Sequence, residues 1–257
     1  PNRSGVSARE EILLMSNRTQ IYSRFLTRYQ TLTGIDSMTA TQTAAAAQFF
    51  AKAMRAGWEQ YPWPWSTTVE ERTLDVSNRV DYDQTGEERI AEVFAVYSDD
   101  PQSSTGFYNL SYTLDGDGIL FGGANIPTTA WVYYRKDCPD YRGDAYSGAT
   151  AYVAGDQVYY ATTGDFYVAI ASTTGNAPTD ATKWTRLTVP WDLFEYATLA
   201  ACGDLLTQNG QNDRADKLAA QAQDELLKQI EKYSRQQSYR PNKQTFFTHG
   251  TQQLRNQ

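Results

Sequence analysis

The single histidine of this sequence, His249, stands in a polar stretch with no regular apolar pattern around it. Acid–base work needs its imidazole held within about 3 Å of a nucleophile, and a stretch without packed neighbours cannot hold it there. The two cysteines, Cys138 and Cys202, are far apart, with no Cys or His nearby to complete a zinc pattern. Two reduced thiols are the expected state. Asp115-Gly116-Asp117-Gly118 begins like a calcium loop, but Ile119 follows where a ligand belongs and no Glu stands at the twelfth position, so a tight hairpin turn is expected. Carboxylates are plentiful in 67–140; acids along a sheet edge more often keep it soluble and unpaired than form a hydrolytic pair. With no Gly-rich phosphate loop and no paired His, the sequence predicts no catalysis, no cofactor and no metal.

Charge separates along the chain more than the net of −7 suggests. Residues 1–66 carry net +3, 67–140 net −9, 141–188 net −1 and 189–231 net −5. The stretch 232–257 carries Lys232, Arg235, Arg240, Lys243 and Arg255 with no acid, net +5. An acidic body repels nucleic acid in general, while a basic tail seeks an acidic partner. No run approaches the roughly 20 apolar residues of a membrane span, and residues 1–11 are polar rather than signal-like, so a soluble protein made in the cytoplasm is expected.

Ser7 and Glu10 form a capping-box pattern, and Leu14, Ile21, Tyr22, Phe25, Leu26 and Tyr29 keep helical spacing, which predicts a helix over about 7–32. Thr39 or Thr41 caps a second helix, carrying Phe50, Met54 and Trp58 on one side and ending near Tyr61 because Pro62 and Pro64 follow. Tyr61-Pro62-Trp63-Pro64-Trp65 reads as a plug at that exit rather than a sugar platform. Period-two runs then predict strands over 68–76, 90–97, 108–114, 119–121 and 130–134. Helical spacing returns after Pro190 with Phe194, Ala197, Ala201 and Leu205, breaks at Gly210, and resumes from Asn212 or Asp213 through Leu218, Leu226 and Tyr233. Residues 237–257 lose periodicity and read as unstructured alone.

The stretch 145–187 carries Tyr146, Tyr152, Gly155-Asp156, Val158, Gly164, Tyr167, a Thr173-Thr174-Gly175-Asn176 turn, Pro178 and Trp184. In order and spacing it resembles the small three-stranded carbohydrate-binding modules attached to many chitinases. Where sugar-binding members present two adjacent tryptophans this chain has Ala171 and Ser172, and Tyr146 replaces the leading Trp. The resemblance therefore implies a structural ornament; the alternative is a virion or surface glycan-binding protein acting through Tyr146, Tyr152 or Trp184. The fold expectation is α+β: an α-helical bundle of two N-terminal helices and a C-terminal helical hairpin (1–66 and 189–236), interrupted by an antiparallel β-rich insertion (67–140) and a three-stranded module (141–188), with a basic tail (237–257).

Outside that module, the order of two helices ending in Gly57-Trp58 to Trp65, an acidic β segment, the strand Trp131 to Arg135, and the hairpin Phe194-Glu195-Tyr196-Ala197 to Asn209-Gly210-Gln211-Asn212-Asp213 resembles the head-to-tail connector (adaptor) proteins of tailed bacteriophages. That resemblance implies a homo-oligomeric ring, commonly of twelve copies, in the virion neck. It would dock on the portal protein above and on stopper, tail or nozzle proteins below, and DNA would pass without sequence-specific binding. The tail reaching the portal would act through Arg235, Tyr239, Arg240, Lys243, Phe246, Phe247 and Arg255.

Overall fold

A computed structural model describes residues 19–84, 88–104, 106–123 and 126–238. The described residues open with a short strand, β1 (Thr19–Ile21), that turns into helix α1 (Tyr22–Thr33), whose buried Tyr22, Phe25 and Tyr29 fall on one stripe. Gly34, at φ 76°, closes α1 with its amide on the Gln30 carbonyl, a left-handed cap that favours glycine. Helix α2 (Ala40–Glu59) starts from a full capping box: the Thr39 hydroxyl accepts the Gln42 amide at 3.3 Å and Gln42 Oε1 accepts the Thr39 amide at 2.9 Å. Its buried stripe includes Ala46, Phe50, Met54 and Gly57.

Six strands follow the knot at Pro62 and Pro64. They are β2 (Thr67–Thr73), β3 (Arg79–Asp81), β4 (Ile90–Tyr97), β5 (Tyr112–Leu114), β6 (Gly118–Phe121) and β7 (Thr129–Lys136). They make two antiparallel three-stranded sheets, ordered β2-β7-β4 and β3-β6-β5, that share one core of Val80, Ile90, Val96, Ile119, Phe121 and Val132. Between β5 and β6, Asp115 Oδ1 accepts the amides of Asp117 and Gly118, each at 2.8 Å, which builds the tight turn. Those amides hold the Asp115 carboxyl below the usual range, with Arg79 adding to the effect. At Gly118 a Cβ would meet the Val80 carbonyl oxygen at 2.3 Å, so the β3–β6 pairing requires glycine there.

The next segment holds β8 (Asp144–Ala145), β9 (Ala151–Tyr152), β10 (Gln157–Tyr160), β11 (Asp165–Ala169), β12 (Thr173–Thr174) and β13 (Trp184–Arg186). They form a four-stranded sheet, β13-β11-β10-β8, with β8 parallel to β10, and a two-stranded β12-β9 pair. Strand β14 (Thr188–Pro190) then pairs antiparallel with β1, Thr19 opposite Pro190 and Ile21 opposite Thr188. Helix α3 (Trp191–Gln208) is buried nearly all round, through Leu193, Phe194, Ala197, Cys202 and Leu206, because it lies against α1, α2 and the long helix α4 (Asn212–Ser238).

Three expectations are corrected. The chain is not a helical bundle with a small β insertion but a mixed α+β protein, four helices against fourteen strands in five sheets among the described residues. Strands enter the helical core itself, through Phe166 of β11 and Val189 of β14, and Tyr141 of the segment between β7 and β8 lines it too. The small module has a four-stranded main sheet rather than three strands. The expected helix over 7–32 begins only at Tyr22: its Ser7 capping box lies outside the described residues, and Thr19–Ile21 is drawn into a strand by β14.

Candidate functional site

The sequence-derived rings of the module lie together but face inward. Trp184 is 2 % exposed, donates its indole N–H to the Asn176 carbonyl at 3.0 Å, and receives Tyr146 and Tyr152 edge-on at 6.0 and 5.2 Å between centroids. A ring covered in this way has no free face for a sugar to stack on. Tyr146 and Tyr152 are half-buried and stack on each other at 5.8 Å, so each already spends a face on its neighbour. Burial, then Tyr152 and Tyr160, pushes the Tyr146 hydroxyl above its ordinary range.

What the module does hold is the start of α1. Ile21 offers that helix no capping side chain; Asp165, 1 % exposed at the start of β11, accepts the Ser23 amide at 2.8 Å instead. A carboxylate at a helix N-terminus satisfies an orphan donor and opposes the helix dipole. Arg186 lies 3.6 Å from its second oxygen, and Tyr22 seats edge-on against Phe166 at 4.8 Å. Asp165→Ala is therefore expected to destabilise the protein by about 1 kcal/mol, read as a shift in the urea midpoint, with Asp165→Asn losing less. Equal losses in the two variants would show that the negative charge, rather than an oxygen accepting the Ser23 amide, carries the effect.

Beside this joint lies a cleft of about 1130 Å³, walled by Ala40, Ala44 and Ala47 of α2 and by β8 and β10, with Tyr22 and Phe166 at its floor. The Tyr22 hydroxyl is buried and has no hydrogen-bond partner among the described residues. The thiols of Cys138 and Cys202 are buried, and burial pushes each up to about 12, which removes nucleophilic thiolate at neutral pH. Among the described residues no three His, Cys, Asp or Glu side chains are placed to hold a metal ion, and no helix is long and apolar enough to cross a membrane.

The other constellation is a pole at the far end of α2. Trp63 is fully buried, donates to the Gly57 carbonyl at 2.9 Å, and is sandwiched by Trp65, Tyr61 and Tyr233. Next to it, Asp192 is 6 % exposed and accepts the Tyr233 hydroxyl at 2.7 Å and the Lys232 ammonium at 3.2 Å, so the first turn of α3 is locked to the last turns of α4. The Tyr233 hydroxyl rises above its usual range through burial and then the Asp192 carboxylate. Arg235 follows on the exposed side of α4, its Nε donating to the Glu231 carbonyl at 3.4 Å. Of the other tail residues expected to reach a partner, Tyr239, Arg240, Lys243, Phe246, Phe247 and Arg255 lie outside the described residues.

Sequence reasoning missed Asp165, Asp192 and Trp191. A Gly-Asp after a strand marks a turn but not the distant amide it caps. Trp191 follows Pro190 at a helix start, where a large ring reads as core, yet it is 45 % exposed. Compared with known proteins, the chain matches no protein-family model and no curated protein sequence.

Proposed function

We propose that this chain is a structural adaptor of the head-to-tail interface of a tailed bacteriophage, a virion neck protein that assembles as a ring, docks on the portal and lets DNA pass to the tail or nozzle proteins below. The observation that carries the reading is the lock between Asp192 and Lys232–Tyr233: it fixes one pole of the helical core at the place where α4 hands over to a segment carrying only positive charge. A closed ring needs two different faces that match. The +3 of residues 1–66 and the −9 of 67–140 supply opposed charge for setting register between neighbours. Acidic groups in the lumen would keep DNA from being held through counterion release. The resemblance in element order adds the ring and its commonly twelve copies.

The test is mass measurement under native conditions of the full chain, alone and mixed with purified portal rings of the same particle. A complex with several adaptor copies per portal is the expected outcome. A chain that stays monomeric with portal present, and is missing from the neck in particle images, overturns the reading.

A further inference from the structure

The chain crosses between its helical core and its β core twice, and the two crossings lie side by side. It leaves α2 through residues 60–66 to enter β2 at Thr67, and it returns from β7 after Lys136. Thr67 pairs with Arg135 across these antiparallel strands, and the Lys136 amide donates to the Ser66 carbonyl at 2.8 Å, so entry and exit form one narrow stalk. Among the described residues the core of Val80, Val96, Ile119 and Val132 has no member in common with the helical core. A body with its own core, joined to the rest by such a stalk, can swing on it unless something besides apolar packing holds it.

We infer that Arg135 and Trp58 form a latch at this stalk, which fixes the orientation of the body 67–136 relative to the helical core. Arg135 donates from Nη1 to the Trp58 carbonyl at 2.9 Å, and Trp58 donates its indole N–H to the Lys136 carbonyl, also at 2.9 Å. The Trp58 carbonyl is one of the last in α2, which a helix cannot satisfy from within, and a cation suits the negative end of the helix dipole. Both side chains are held in place. Arg135 is 8 % exposed and its other terminal nitrogen pairs with Glu92 of β4; Trp58 is 6 % exposed and packs edge-on against Trp65 of the entry crossing at 4.8 Å. Swinging the body away would strand buried donors and acceptors without partners, a larger penalty than breaking an exposed pair. The latch thus joins α2, both crossings and, through Glu92, the far strand of the β2-β7-β4 sheet.

The inference goes beyond the neck reading and stands without it. Its test places spin labels on the full chain at Val76→Cys, in the turn before β3, and at Lys217→Cys on α4; both positions are exposed, whereas Cys138 and Cys202 are buried. Pulsed electron resonance then reads the distribution of distances between the two bodies, with a thermal melt of each variant. One narrow distribution is expected for the labelled parent. Its width should at least double in Arg135→Met and in Trp58→Phe, and rise less in Arg135→Lys, which keeps one cationic donor. A broad distribution in the parent overturns the latch, and so does a parent-like width in both Arg135→Met and Trp58→Phe. Where Arg135→Met fails to fold, Trp58→Phe, which keeps a ring in place and drops the indole N–H, decides alone: broadening supports the latch and a parent-like width overturns it.

Discussion

Replacing Trp63 by alanine is expected to cost the folded chain about 3–5 kcal/mol, more than any other ring substitution at the pole. Trp63 is fully buried, so removal opens a cavity rather than a dent. The ring also joins three parts of the chain. Its indole N–H closes the C-terminal end of α2 on the Gly57 carbonyl at 2.9 Å. It stacks on Trp65 at 5.8 Å, where the chain turns toward β2, and meets Tyr233 of α4 edge-on at 5.7 Å. The two prolines on either side fix the backbone, which leaves it little room to collapse onto the void. Denaturant midpoints at constant slope measure the effect. A loss under about 1 kcal/mol would mean that Tyr61 and Trp65 close the plug unaided. Trp191→Ala, at a position that is 45 % exposed, should change stability much less.

The local signals were legible where the interaction itself is local. Thr39 caps α2 through Gln42, three residues on, and both partners stand in the sequence pattern. Ile90–Tyr97 is a strand over the expected span, with two register shifts against β7, and Asn209 to Asn212 links α3 to α4 as its turn chemistry suggests. The failures share one cause, a partner far away in sequence. Thr19–Ile21 was read as helix because Ile21, Tyr22 and Phe25 keep helical spacing, yet β14 supplies ladder hydrogen bonds that no local window contains. Arg79–Asp81 holds one apolar residue between two charges, too short for a period-two signal, and becomes a strand by pairing with β6. Asp165 caps a helix 142 residues before it. The same limit explains the corrected fold class: alternation reveals that strands exist, whereas the number of sheets, and the entry of Phe166 and Val189 into the helical core, follow from which strands find one another. For the candidate site, the aromatic knot was read as a plug from its prolines, while exposure of Trp191 had no signature because its helix is apolar on nearly every side.

Arg72→Met is expected to cost about 3 kcal/mol, although methionine replaces the aliphatic stem of the side chain and suits a sheet core. Arg72 is 1 % exposed in β2, with its guanidinium donating to the Glu88 carbonyl at 2.8 Å, to Glu70 Oε2 at 3.1 Å and to the Tyr134 hydroxyl. Tyr134 in turn donates to the same Glu70 oxygen at 2.7 Å. Removing the cation leaves a carbonyl and a hydroxyl in the β core with fewer partners, and an unmade buried hydrogen bond costs more than a made one contributes. Glu70 reaches water with 34 % of its side chain exposed, which keeps the loss at the low end for a broken buried pair. The network predicts its own non-additivity: adding Tyr134→Phe to Arg72→Met removes a hydroxyl already short of partners, so the double variant should lose clearly less than the two single losses combined. Chemical denaturation of the three variants measures the coupling. Strict additivity would mean that Arg72 and Tyr134 act separately, and that the β core depends on the apolar packing of Val80, Ile119 and Val132 rather than on a polar link between β2 and β7.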